Sequence, residues 1–259
     1  RLHAFRPARS PLDTRKQGSV FPLVMFISTC CSLASLGANS SYDMTPDYEK
    51  NLAGFWNKVG KTYAHIDYGG YLKGEDQLIQ VWEKSWLRNF STQNGNIFEN
   101  ATVMEYGIGG GLLGKHLLEK YNARHYIGVD IAERQLEEAS KRLDDCCRYK
   151  YSRVKVDGSL NAADLQPFRI DVFVSQAVMQ HFPSASYTRN FLGVLSQSRI
   201  PYLMLQVREG DARKQGTSVT FAQLVSREML EKHLPNYQMI WQSPRGRKGY
   251  VFYWWHLRH

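Results

Sequence analysis

Residues 103–136 read VMEYGIGGGLLGKHLLEKYNARHYIGVDIAERQL. A short apolar run, Ala101 to Met104, ends in the acid Glu105 and then meets Gly107, Gly109, Gly110 and Gly111 before a helical pattern opens at Leu112. The order is strand, tight turn, helix. Residues without Cβ let the turn adopt positive φ and let backbone approach a ligand closely, so the turn reads as the floor of a binding site. A second apolar run, His125 to Val129, ends in Asp130, about twenty residues beyond the glycines, where a ribose-binding carboxylate is expected in such units. Two acidic strand ends and one glycine turn predict a nucleoside pocket.

Gly109, Gly111 and Gly114 also satisfy the G-x-G-x-x-G spacing of a dinucleotide site, which keeps an NAD-type oxidoreductase open as an alternative. Glu105 argues against it. A dinucleotide places its pyrophosphate at the helix N-terminus, where amide N–H groups and the helix dipole favour negative charge, and a nearby carboxylate opposes it. An adenosine ligand with an ammonium and a sulfonium and no phosphate tolerates that acid.

With Glu105-x-Gly107-x-Gly109-x-Gly111 and Asp130, the chain resembles class I S-adenosylmethionine-dependent methyltransferases. The resemblance runs from about Asn51 to the C-terminus and is strongest from Val103 to Pro183. It implies an α/β fold, Rossmann-like and doubly wound, with a mostly parallel seven-stranded sheet and a C-terminal antiparallel hairpin. The cofactor it implies is S-adenosylmethionine. Asp130 would bind the ribose hydroxyls, Glu105 would favour the ammonium end, and Gly107, Gly109 and Gly111 would admit the methionine portion.

Downstream, helical spacing covers Ala132 to Leu143, and a third strand is expected over Ser152 to Val156, ended by Asp157. The resemblance puts Asp157 and Gly158 beside the adenine. The fourth strand, Ile170 to Val174, runs into SQAVMQHFP, similar to the family's fourth motif, whose loop Ser175 to Ala177 should face the methyl group. Gln176 is a candidate contact to cofactor or acceptor. His181 is the candidate general base, because histidine titrates near neutrality and follows this strand; a scaffolding role is the other reading. A helix from Ser184 to Leu195, a strand from Tyr202 to Val207 and a polar loop from Glu209 to Ser218 follow. Phe221 to Leu234 reads as a helix, and Tyr237 to Gln242, a basic turn and Tyr250 to Leu257 form a hairpin pattern. Alternating strand and helix units imply a parallel sheet with right-handed crossovers.

Upstream, the texture divides at residue 48. Residues 1–47 combine a basic flank, Arg1 to Lys16, with an uncharged stretch, 18–42, and predict a leader or targeting segment outside the fold, with membrane contact through 18–42 as one reading. Localisation, cytoplasmic or organellar or secretory, turns on that segment. Residues 48–259 form the catalytic domain, with a helical cap over 48–98. In the cap, Phe55, Trp56, Val59 and Tyr63 suit a helix packed on the sheet, and Tyr63, His65, Tyr68 and Tyr71 are candidate lid residues. Asp76 to Phe90 forms a firmer helix, with Leu78, Val81, Trp82, Trp86 and Phe90 at core spacing.

At 259 residues and 43% hydrophobic, the chain can build one sizeable core. Its formal charge of +9 keeps an RNA or protein substrate as the alternative to a small-molecule acceptor, although the excess is split between 1–16 and 245–248. The cysteines fall in two adjacent pairs, Cys30-Cys31 and Cys146-Cys147, without zinc-ligand spacing, so no metal is expected. Among small acceptors the residues leave a phenol, a sugar hydroxyl and a carboxylate open, with oxygen as the methylated atom.

Overall fold

A computed structural model describes residues 54, 56–57, 74–88, 90–91, 95–144, 149–153, 160–161, 165, 168–209, 224–245 and 249–258. Residues 1–47, the lid candidates Tyr63, His65, Tyr68 and Tyr71, the polar loop over 210–218, and Asp157 and Gly158 lie outside the described residues.

The first firm element is α1 (Glu75–Trp82), which continues as a π-helical turn over Glu83–Leu87. Then come β1 (Thr102–Tyr106), α2 (Leu112–Lys120), β2 (His125–Asp130), α3 (Glu133–Leu143) and β3 (Tyr149–Arg153). The second half holds β4 (Val172–Ser175), a 3-10 turn at Met179–His181, α4 (Ala185–Ser198), β5 (Tyr202–Arg208), α5 (Arg227–His233), β6 (Tyr237–Gln242) and β7 (Tyr250–Leu257). They build a seven-stranded sheet in the order β3-β2-β1-β4-β5-β7-β6. β1 to β5 are mutually parallel, and β7 runs antiparallel to both β5 and β6. The doubly wound sheet with a terminal hairpin is the architecture that the alternating pattern predicts.

Two apolar clusters cover the two faces, and alternate residues of β1, β4, β5 and β7 divide between them, as the pleat requires. On β1, Met104 and Tyr106 join the cluster beneath α4 and α5, while Val103 joins the one beneath α1, α2 and α3. The tryptophans at core spacing are core residues: Trp86 is fully buried and packs on Phe252 and Trp254 of the hairpin, and Phe90 stacks on Trp254 with ring centroids 3.9 Å apart. The buried Glu83 carboxylate fastens the π-helical turn to α2. Glu83 accepts from His116 Nε2 at 2.7 Å, Lys120 Nζ at 2.9 Å and the Tyr121 hydroxyl at 3.1 Å.

Three boundaries differ from the sequence reading. β1 extends through Tyr106, so Glu105 stands inside a central strand, flanked by Gly128 of β2 and Val174 of β4, and not at its end. β3 begins at Tyr149 and not Ser152, in parallel register with β2 that pairs Tyr126 with Tyr149 and Asp130 with Arg153; residues 154–156 lie outside the described residues. The last helix starts at Arg227 and not Phe221: the Val225 N–H donates to the Arg208 carbonyl, and Ser226 caps the helix by accepting from the Met229 N–H at 3.1 Å.

Candidate active site

The carboxyl ends of β1, β2, β4 and β5 lie side by side, and ligands of open α/β sheets bind outside such ends. The turn after β1 is tied to β2: the N–H groups of Gly107 and Ile108 both donate to the Val129 carbonyl, at 2.8 and 3.2 Å. Its glycines serve different ends. A Cβ on Gly107 (φ +81°) would stand 2.1 Å from Val178, and one on Gly111 (φ +76°) would crowd Ala139 of α3 at 3.0 Å. Those two glycines admit neighbouring protein. Only Gly109 (φ +55°) and Gly110 open onto space: nothing lies within 4 Å of a Cβ at Gly109, and only Arg142, at 3.9 Å, approaches one at Gly110. Gly114, which completes the dinucleotide spacing, is explained by packing, since the Tyr126 ring would stand 2.3 Å from its Cβ.

Asp130, at the end of β2, closes this turn. Its Oδ2 accepts from the Gly109 N–H at 3.0 Å and its Oδ1 from the Ala132 N–H at 2.9 Å. Burial pushes its carboxyl up to about 6, against the pull of the backbone N–H groups of Ala132, Gly109 and Ile131. A carboxylate offers about four lone-pair sites, so Asp130 keeps capacity for further donors.

Glu105 sits elsewhere than the sequence reading expects. Its side chain is 4% exposed and accepts the hydroxyl of Tyr126, itself fully buried beneath α2. Burial pushes the Glu105 carboxyl up to about 8; the Tyr126 bond opposes this and the Asp130 charge adds to it. At neutral pH the neutral acid is favoured. Glu105 is thus a buried partner of Tyr126 behind the glycine turn.

Across the crevice, Gln176 follows β4 with its Oε1 buried and unbonded. His181 ends the 3-10 turn, with its Nε2 3.3 Å from Gln180 Nε2 and the Trp56 ring edge-on at 4.7 Å. Asn57, beside Trp56, accepts the Arg134 N–H of α3 at 3.2 Å. Residues 56–57 of the cap therefore touch both banks, the start of α3 next to Asp130 and the turn that carries His181. The sequence reading missed two features. Trp56 is helical, as the sequence reading has it, but its contact with His181 is not part of that reading, and Gln206, which grips the loop after Gln176, has no role there although it is the polar residue inside the apolar YLMLQVR strand.

Residues 104–198 match the model of the methyltransferase-domain family. The chain is 24% identical over 216 residues to the nonribosomal peptide synthetase kk1B of Curvularia clavata; this covers 80% of the chain and about 2% of that relative's length. An S-adenosylmethionine-dependent methyltransferase from Clostridium acetobutylicum superposes with a TM-score of 0.50 at 11% identity, over 81% of this chain and 99% of that one. The N-methyltransferase NodS of Bradyrhizobium japonicum, solved with S-adenosylhomocysteine, gives 0.54 at 12% identity, over 78% and 98%. The 4+2 cyclase SpnF gives 0.56 at 9% identity, over 81% and 97%, so likeness of fold leaves the reaction to be argued from the site.

Proposed function

We propose, from the premise that the chain carries a class I S-adenosylmethionine-dependent methyltransferase domain, that it methylates an oxygen of a small-molecule acceptor. The observation that carries this reading is the roof made by Trp56 and Asn57, which spans from α3 to His181 over the carboxyl edge of the sheet. A roofed crevice suits a small acceptor better than a polymer.

The residues present fit the cofactor. The space above Gly109 and Gly110 leaves room for it, and the remaining lone pairs of Asp130 suit ribose hydroxyls. Gly107, Gly111 and Glu105 act behind this surface by shaping the turn, while Asp157, Gly158 and Gln176 complete the proposed contact set. When bound, S-adenosylmethionine supplies the electrophilic methyl group. The protein's share is to orient the acceptor and exclude water, and orientation of this kind is worth roughly 7–11 kcal/mol of barrier. His181 takes the acceptor hydroxyl's proton through a ring nitrogen, and Trp56 holds the imidazole plane.

Calorimetry with S-adenosylhomocysteine and NAD side by side tests the cofactor site, and label transfer from methyl-tritiated S-adenosylmethionine to hydroxylated compounds tests the reaction. Binding of NAD alone would overturn the reading. Transfer to RNA or protein that falls steeply with added salt would replace the small acceptor with a polymer.

A further inference from the structure

Gln206 is 1% exposed, between Leu205 and Val207, which are both fully buried. A buried primary amide in a central strand needs partners for both its ends. Its Oε1 has one: the N–H of Ala177 donates to it at 2.8 Å. Ala177 holds φ +55°, a conformation that costs a residue with a Cβ about 1–2 kcal/mol, so the bond braces a strained turn directly after Gln176. The same bond fixes the amide's orientation, since a reversed amide would set N–H against N–H. Nε2 is therefore the end left over, a buried donor without a partner.

It does not stand alone. Among the described residues, Ser175 Oγ, Gln176 Oε1 and Gln180 Oε1 are also buried without partners, all within the six-residue segment that Gln206 braces. Leaving such a group unmet costs about 1–3 kcal/mol, so the unmet atoms on Gln206 and in the segment it braces are candidates to meet a ligand. The set contains a fixed donor, Nε2 of Gln206, and carbonyl acceptors, the Oε1 atoms of Gln176 and Gln180.

We propose that Gln206 is an acceptor-recognition residue whose Nε2, with the Oε1 of Gln176, reads a neutral hydroxyl group on the molecule to be methylated. A hydroxyl donates and accepts at once and meets both atoms. An ionised carboxylate only accepts and would face the glutamine carbonyls unpaired, and an ammonium only donates and would face Nε2. The inference rests on the methyl-transfer reading and adds to it the residues that recognise the acceptor's hydroxyl.

The test uses the full chain, methyl-tritiated S-adenosylmethionine and a mixture of alcohols, phenols, carboxylic acids and amines. Label should be recovered as alkali-stable methyl ethers; alkali-labile esters or methylamines would overturn the inference. Q206E keeps an oxygen for the Ala177 N–H; burial favours its neutral form, which still donates, and only the ionised form replaces the donor with an acceptor. At acidic pH, with the carboxyl neutral, it should leave the melting midpoint unchanged and the S-adenosylhomocysteine affinity within twofold of the parent. At alkaline pH, where the carboxyl ionises, it should lower kcat/KM for the methylated alcohol by about 100-fold or more while the S-adenosylhomocysteine affinity stays within twofold, as sites built to bind a hydroxyl do when the pairing fails. Relative to the parent at the same pH, the variant should recover activity as pH falls and the new carboxyl regains a proton to donate. Unchanged kcat/KM at alkaline pH, or a loss without that recovery, would overturn the recognition role and leave the methyl-transfer reading standing. Failure of S-adenosylhomocysteine to bind, or no transfer to any acceptor, would remove that reading and this inference with it.

Discussion

Asp130→Asn separates the cofactor role of this residue from its role in the turn. Asparagine keeps the shape but has one carbonyl oxygen, so of the two N–H groups now held, Gly109 at 3.0 Å and Ala132 at 2.9 Å, only one keeps its acceptor. That loss should cost the fold about 1 kcal/mol. It is offset near neutrality, because burial already holds the Asp130 carboxyl up at about 6 and asparagine has no charge to bury. The ligand side has no such offset. Losing a charge-assisted bond to a ribose hydroxyl removes about 1.5–3 kcal/mol, or roughly 10- to 150-fold in Kd. Calorimetry with S-adenosylhomocysteine should therefore show at least tenfold weaker binding at an almost unchanged melting midpoint. The pH profile adds a second reading. The charged form is the better acceptor, so the parent's affinity should fall as pH drops through about 6, and the variant's should not. A Kd within threefold of the parent, or the same pH profile in both, would refute the ribose assignment.

Glu83→Ala strips the acceptor from His116, Lys120 and Tyr121; Lys120 is half exposed, so the cost comes mainly from the buried His116 and Tyr121 bonds and should be about 1.5–3 kcal/mol in urea unfolding. The Glu83 carboxyl is held below its usual value by Lys120, His116 and Tyr121, which outweigh its burial. Its stabilisation should thus be present at neutral pH and fade on acidification, and the variant should lack that acid-side loss. Glu105→Gln should have the opposite sign: with the folded carboxyl near 8, stability is lost as pH rises from the unfolded value of 4.5, so the variant should melt higher than the parent at pH 8 and show no gain at pH 4. Trp56→Ala should raise the acceptor KM and lower kcat while leaving the melting midpoint nearly in place, because Trp56 stands on His181 and outside both core clusters; a large drop in melting midpoint would make it a core residue instead.

The roof and the anchor of the cap are separate devices. Trp86 and Phe90 fix α1 to the hairpin through aromatic contacts, and Glu83 fixes it to α2. The roof residues Trp56 and Asn57 reach the site through the Trp56 ring on His181 and the Asn57 side chain on the Arg134 N–H. Substitutions in the first group should register in stability and those in the second in acceptor kinetics, so the two sets can be told apart in one panel of variants.

The amino-acid sequence by itself determined the alternation of strand and helix, the glycine turn before α2, the placing of Asp130 at the end of β2 and the terminal hairpin. Each follows from periodicity and turn chemistry, which act between residues a few positions apart. Register and packing decided the rest. That Glu105 lies behind the turn under Tyr126 depends on β1 being clasped between β2 and β4, which no spacing within residues 103–136 reveals. That Gly107 makes way for Val178 joins residues 71 positions apart in the chain. Gln206 at Ala177 and Trp56 at His181 are likewise contacts between distant segments, brought together only when the sheet closes and its pleat sends one side chain to one face and the next to the other.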